Sequence, residues 1–290
     1  MNQTPNKLTI FSWCLYDFAN TIFSMNVISL YFALWVTVDH GGQDIVYSIA
    51  LSLSMLAVAL SVPVFGAISD TTGKLRAPLT GLTLLCVFCT GLIGATDHLW
   101  VGLVLFMLAN YGYQSALVFY NGMLPSISQG SHVGLVSGYG VALGYLGSIA
   151  GMVMVQPFVE SYGRSAAFLP TAGLLLFFSL PCFLFVKDPE TRTAPIFRIK
   201  EVFKTLKETF LRAQKYRSLF RFILIHFLVL DAVNTIIAFM SVYASKVIGF
   251  SGSQITKFLI FATLGAMVGS WVIGILVKYK GVILSYWLGL

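Results

Sequence analysis

Apolar stretches long enough to cross a bilayer follow one another along nearly the whole chain, and this pattern excludes most folds before any motif is considered. A hydrocarbon core about 30 Å thick takes roughly 20 helical residues to span. Stretches of that order fall at 10–36, 46–69, 78–96, 99–120, 134–158, 165–186, 218–242 and 255–277, and a ninth begins near residue 282. Of the 290 residues, 57% are hydrophobic and only 10% charged, whereas a soluble domain carries about 25% charged residues. Backbone groups at membrane depth have no water to bond, so spans of this kind close their hydrogen bonds internally as helices. The chain is therefore expected to be an all-α, polytopic membrane protein. Its first apolar run holds Asp17, Asn20 and Asn26 and has no small-residue cleavage site. It reads as a first span and not as a cleaved leader.

The net charge is +7, but its distribution is more informative. Lys7, Lys74, Arg76, Lys278 and Lys280 flank turns on one side. On the same side, Lys187, Arg192, Arg198, Lys200, Lys204, Lys207, Arg212, Lys215, Arg217 and Arg221 fill the long loop after span 6. Only Arg164, Lys246 and Lys257 fall on the other side, beside Asp39, Asp44, Asp97 and Glu160. The positive-inside rule then places the N-terminus and the long loop in the cytoplasm. The basic excess reports orientation and gives no case for nucleic-acid binding. Within the loop, Ile199, Val202, Phe203, Leu206 and Phe210 recur at helical spacing among lysines, the pattern of a basic amphipathic helix lying on the inner membrane face. The loop divides the chain into a six-span unit (1–186), a linker (187–217) and a second unit (218–290).

One polar hexapeptide occurs in both units. Asp17-Phe18-Ala19-Asn20-Thr21-Ile22 on span 1 returns as Asp231-Ala232-Val233-Asn234-Thr235-Ile236 on span 7. Ionisable groups at membrane depth are costly and by default mark a pathway or a site. Asp17 and Asp231 each follow a basic residue (Lys7 and Arg221) by ten positions. A rise of 1.5 Å per residue then puts both ~15 Å into the membrane. Asp17, Asn20, Asp231 and Asn234 are the candidates for binding a substrate or taking up a proton, and a polar contact between helices is the plainer alternative. Tyr16, Asn110 and Gln114 are candidate cavity-lining residues. Gly140, Gly144, Gly147 and Gly151 form a stripe on span 5, which suits close helix packing. The four cysteines, Cys86 and Cys89 with their metal-like spacing among them, lie within apolar spans and read as packing residues. No phosphate-binding glycine loop, metal-ligand spacing or nucleophile triad is found, so no catalytic residue, metal or cofactor is expected.

The segment GAISDTTGKLR (66–76) resembles the loop 2–3 signature of the major facilitator superfamily. The resemblance implies a cytoplasmic gate formed by Gly66, Asp70, Gly73, Lys74 and Arg76, with Thr71 standing where that signature commonly has an arginine. More narrowly, WCLYDFANTIF (13–23), FYNGMLPSIS (119–128), SGYGVALGYLGSIAG (137–151) and the LDAVNTI of span 7 resemble the vacuole-effluxer family. That family includes autophagy-related amino-acid effluxers and uncharacterised bacterial members. The resemblance implies a helical bundle with a six-helix N-terminal half and, here, an incomplete C-terminal half. The superfamily has twelve spans, so the sequence is expected to be a partial one.

The reading that follows is a monomeric, multi-pass transporter in a bacterial inner membrane. It would move amino acids or related small polar metabolites by alternating access, with the proton as the candidate coupling ion and no enzymatic activity. A truncated relative without transport activity is the alternative. An intramembrane aspartyl protease is a more distant one, because Leu230-Asp231 lacks the Gly-x-Gly-Asp context of those enzymes.

Overall fold

The computed structural model describes residues 6–128, 132–188 and 216–280, with Lys204, Glu208 and Leu211 besides. Every regular element among them is helical. The first, α1, runs over Lys7–Asp39. It is followed by α2 (Asp44–Thr72), α3 (Arg76–Ile93), α4 (Leu99–Ile127), α5 (His132–Tyr162) and α6 (Phe168–Phe185). After the linker come α7 (Arg217–Lys246) and α8 (Gly252–Lys280). Among the described residues eight helices are long and apolar enough to cross a membrane, and each overlaps one expected stretch, its ends within four residues except at α4, which continues to Ile127. The molecule is an all-α, integral multi-pass membrane protein. The expected start of a ninth span and the amphipathic linker helix lie outside the described residues, apart from isolated positions.

Local chemistry sets the helix ends. The Asn6 side chain accepts a hydrogen bond from Leu8 N–H at 3.0 Å and caps α1. Gly73 stops α2 in the left-handed region at φ 64°, which a side chain would adopt only at a cost. The turns are short, so successive spans run antiparallel. Lys7, Lys74, Arg76 and Lys187 therefore share one end of the bundle, called the inner end after the orientation expected from the charge pattern. Asp39, Asp44, Asp97, Glu160, Arg164 and Lys246 share the outer end.

Lipid tails are as apolar as leucine, so membrane helices are held by close packing and hydrogen bonds more than by hydrophobic burial. The exposed apolar residues of α2, Ile45, Ile49, Leu53, Leu56 and Leu60, recur every three or four positions and present a lipid-facing stripe. In contrast, α1 is the most enclosed span. It packs chiefly against α5 and α6, while α3 and α4 pair with each other and carry α6 and α2 respectively. The glycine stripe makes the α1–α5 approach possible. A Cβ added to Gly147 would stand 2.2 Å from the Phe18 carbonyl oxygen, and one on Gly151 2.9 Å from Ile22.

Two aromatic clusters brace α1. At the inner end Trp13 stacks on Tyr120 with ring centres 4.4 Å apart, and Tyr16 leans on the same ring. At the outer end Phe32 stacks on Phe106 at 4.2 Å beside Trp35 and Phe168. Between the clusters the helix widens. From Ser24 to Tyr31, and again from Trp35 to Asp39, it is a π-helix, with Phe32 N–H donating to Val27 O and His40 N–H to Trp35 O, five residues back. Such widened turns usually occur as short bulges. Here the widening faces Asn26 inward, where its amide donates to Gly151 O and Thr171 Oγ1 at 3.1 and 3.2 Å.

The second unit joins the first at the outer end. The main contacts of α7 are with the widened part of α1, and those of α8 are with α5. Val242, Ala244, Ile255 and Leu259 enter the outer core, and the Phe239 ring meets Tyr47. Lys246 is ion-paired with Asp44 at 2.6 Å. The inner core, around Trp13, Tyr16 and Tyr120, draws only on the first unit among the described residues.

Candidate functional site

The polar residues of α1 lie between its two aromatic braces. Asp17 is half-buried, with its carboxylate against the glycine stripe: a Cβ on Gly140 would lie 3.3 Å from Asp17 Oδ2, and one on Gly144 3.5 Å from it. No described residue donates a hydrogen bond to that carboxylate or forms an ion pair with it. Asn20, one turn on, is buried. Thr21 Oγ1 donates across the seam to Gly144 O at 2.6 Å and lies 3.1 Å from its own helix's Asp17 and Phe18 carbonyls. The glycines thus bring a bare backbone to the face of α1 that carries Asp17. A carboxylate held there, without a fixed partner, is chemically available to a proton or a cationic group.

The other candidate residues lie within the bundle, and none of Tyr16, Asn110 and Gln114 lines the cleft at the outer end between α1, α5 and α8. Tyr16 is buried in the inner aromatic cluster and its hydroxyl lies 2.8 Å from Thr83 Oγ1. Asn110 is fully buried, donating to Ser54 Oγ at 2.7 Å. Gln114 is half-buried on α4. On α7, Asp231, Asn234 and Thr235 are exposed, and Thr235 bonds only to the Asp231 carbonyl of its own helix, at 2.8 Å. Among the described residues no hydrogen bond or ion pair joins Asp17 to Asp231. The cysteines Cys14, Cys86, Cys89 and Cys182 are all buried and free.

At the inner end, Gly66 lies within α2, Gly73 ends it, and Lys74 N–H donates to Thr72 Oγ1 at 3.2 Å. The side chains of Asp70 and Thr71 lie outside the description. The carboxylate that holds this turn is Asp188, whose Oδ1 accepts from Leu75 and Arg76 N–H at 2.8 and 2.7 Å. It caps the start of α3, where unsatisfied N–H groups and the helix dipole favour an anion. Sequence reasoning missed this role, since Lys187-Asp188-Pro189 reads as the stop of a span; an aspartate before a proline gives no sign of a partner more than a hundred residues away.

Comparison with known proteins agrees with this architecture. The sequence profile of the Major Facilitator Superfamily matches residues 17–290. The chain is 28% identical over 271 residues to a Bacillus subtilis (strain 168) protein described as an uncharacterized MFS-type transporter, YxiO, covering 86% of this chain and 63% of that one. It is 26% identical over 279 residues to an uncharacterized protein of Aquifex aeolicus (strain VF5), covering 95% of this chain and 68% of that protein. The chain thus spans about two thirds of the length of these relatives. The profile and the first relative's description point to a transporter rather than an enzyme. With eight membrane-length helices among the described residues and a profile match from Asp17 onward, the chain belongs to the Major Facilitator Superfamily.

Proposed function

We propose that the protein is a secondary transporter of small polar solutes that works by alternating access, with Asp17 as its coupling residue. The observation that carries this reading is the placement of Asp17: a half-buried carboxylate at membrane depth, without an ion-pair partner among the described residues, against a glycine-lined helix. Such groups are retained at membrane depth where a substrate or ion passes.

The finer assignments rest on the sequence, the substrate class and the gate on its family resemblance and the others on its charge pattern and repeated hexapeptide. The solutes are amino acids or related metabolites, as in the vacuole-effluxer family, and the coupling ion is the proton. The working divisions are 1–186, the linker 187–217 and 218–290, with the N-terminus in the cytoplasm of a bacterial cell. Asn20 on α1 and Asp231 and Asn234 on α7 are assigned to the solute path, and the 66–76 turn, held by Asp188, to the cytoplasmic gate.

A metabolite-exchange screen with the full-length protein in proteoliposomes, with and without a pH gradient, tests this. Saturable exchange of an amino acid, accelerated by the gradient, is the expected result. Exchange indifferent to the gradient would remove the proton from the account, and absence of any exchange of polar metabolites would remove the transport reading.

A further inference from the structure

We infer that a groove between α1 and α5 at the inner end binds an anionic phospholipid, with one acyl chain lying in the groove and the phosphate held by Lys7 and His132. The groove has a volume of about 290 Å³, and its walls include Ile10, Phe11 and Cys14 of α1 and Tyr139, Ala142 and Leu146 of α5. Phe11, Tyr139 and Leu146 are exposed, so the groove opens outward from the helix pair. At membrane depth no water is present to fill such a space, and a hydrocarbon chain fills it without cost to any polar group. Leu146 lies ~21 Å from His132 along α5, so the groove reaches through one leaflet of a hydrocarbon core about 30 Å thick.

The spacing ties the groove to charge. Lys7, Ile10, Phe11 and Cys14 stand at i, i+3, i+4 and i+7 on α1, which is one face of a helix. On α5, His132, Tyr139, Ala142 and Leu146 stand at i, i+7, i+10 and i+14, again one face. The two helices run in the same direction, and Cys14 Sγ lies 3.9 Å from Val136 O. Lys7 and His132 both lie inward of that level, at the groove's inner mouth. Both are exposed, and neither is in an ion pair among the described residues. No acidic residue occurs at 6–16 or at 132–159. A zwitterionic headgroup would therefore find a partner for its phosphate on these faces but none for its ammonium. Basic groups between membrane helices on the cytoplasmic side favour anionic headgroups, and here the apolar groove adds a place for the chain.

The test uses the full-length protein in detergent micelles, titrated with lipid at neutral pH, with occupancy of the first lipid read by native mass spectrometry. Phosphatidylglycerol and phosphatidylcholine with the same chains are the probes, and glycerol phosphate supplies the headgroup without chains. Phosphatidylglycerol should bind about fivefold more tightly than phosphatidylcholine, the scale of one basic residue at the membrane surface. Glycerol phosphate should not compete. Lys7→Gln should remove that preference, while Lys257→Gln, which deletes the same charge from the outer end, should keep it. Ala142→Trp, checked for an unchanged melting curve, fills the groove from an exposed position. It should weaken both lipids about tenfold, the equivalent of about two methylenes left without a place. Equal affinity for the two lipids, competition by glycerol phosphate, or parental binding in Lys7→Gln or Ala142→Trp would each overturn the site. An equal loss in Lys257→Gln would also overturn it, by making the preference a matter of overall charge.

Discussion

The same polar hexapeptide has two different surroundings in this molecule. On α1, Thr21 bonds across to Gly144 O and Asp17 rests on Gly140 and Gly144. On α7, Thr235 bonds only within its own helix, and Asp231 and Asn234 are exposed. In both copies the threonine hydroxyl lies within hydrogen-bond distance of the aspartate carbonyl, so the local geometry of the hexapeptide is retained. The difference lies in the partner. A helix with glycine at four successive contact positions can come close enough to turn a polar motif into a seam.

The comparison can be broken most readily at Gly147. Gly147→Ala places a methyl group 2.2 Å from the Phe18 carbonyl oxygen and should cost about 3 kcal/mol. The fall would be read as a lower melting midpoint of the detergent-solubilised protein. Gly265→Ala on α8, where an added Cβ meets nothing within 4 Å, should change stability by less than about 0.5 kcal/mol. Equal effects would mean that the α1–α5 seam is not as close as described. A smaller contrast is expected between the two threonines. Thr21→Val removes an interhelical hydrogen bond and should cost about 0.6 kcal/mol, while Thr235→Val, at an exposed position, should cost measurably less in the same melt. The smallest effect is expected where α7 meets the first unit at its polar edge. Lys246→Ala breaks the exposed pair with Asp44 and should shift stability by less than about 0.5 kcal/mol. A large loss there would make the outer junction ionic instead of apolar.

The fold was legible in the sequence because bilayer thickness imposes a length on every span, and hydrophobic runs record that length directly. Charge asymmetry likewise anticipated which helix ends lie together. The stripe of span 5 was read as packing, and Gly147 packs as that reading requires. What the sequence did not disclose depends on partners distant in the chain. Tyr16 follows Trp13 and precedes Asp17 like any residue of an amphipathic turn, yet it is buried by Thr83, Tyr120 and Phe183. The widening of α1 from Ser24 leaves no mark in a pattern that a 3.6-residue period explains as well. The outer pairs of Arg164 with Asp39 and Lys246 with Asp44 were visible only as charges sharing one side. The candidate site was half legible: the sequence marked Asp17 and Asn20, but gave no sign that their α7 counterparts are exposed.

The central claim, that Asp17 couples solute movement to an ion gradient, is tested most directly by Asp17→Asn in the full-length protein reconstituted in proteoliposomes. Gradient-driven uptake and gradient-independent exchange of the same solute are measured side by side. The account predicts that uptake driven by the gradient falls to background while exchange persists, because the amide can hold a solute but cannot take up a proton. Gradient-driven uptake at the parental rate in Asp17→Asn would contradict it.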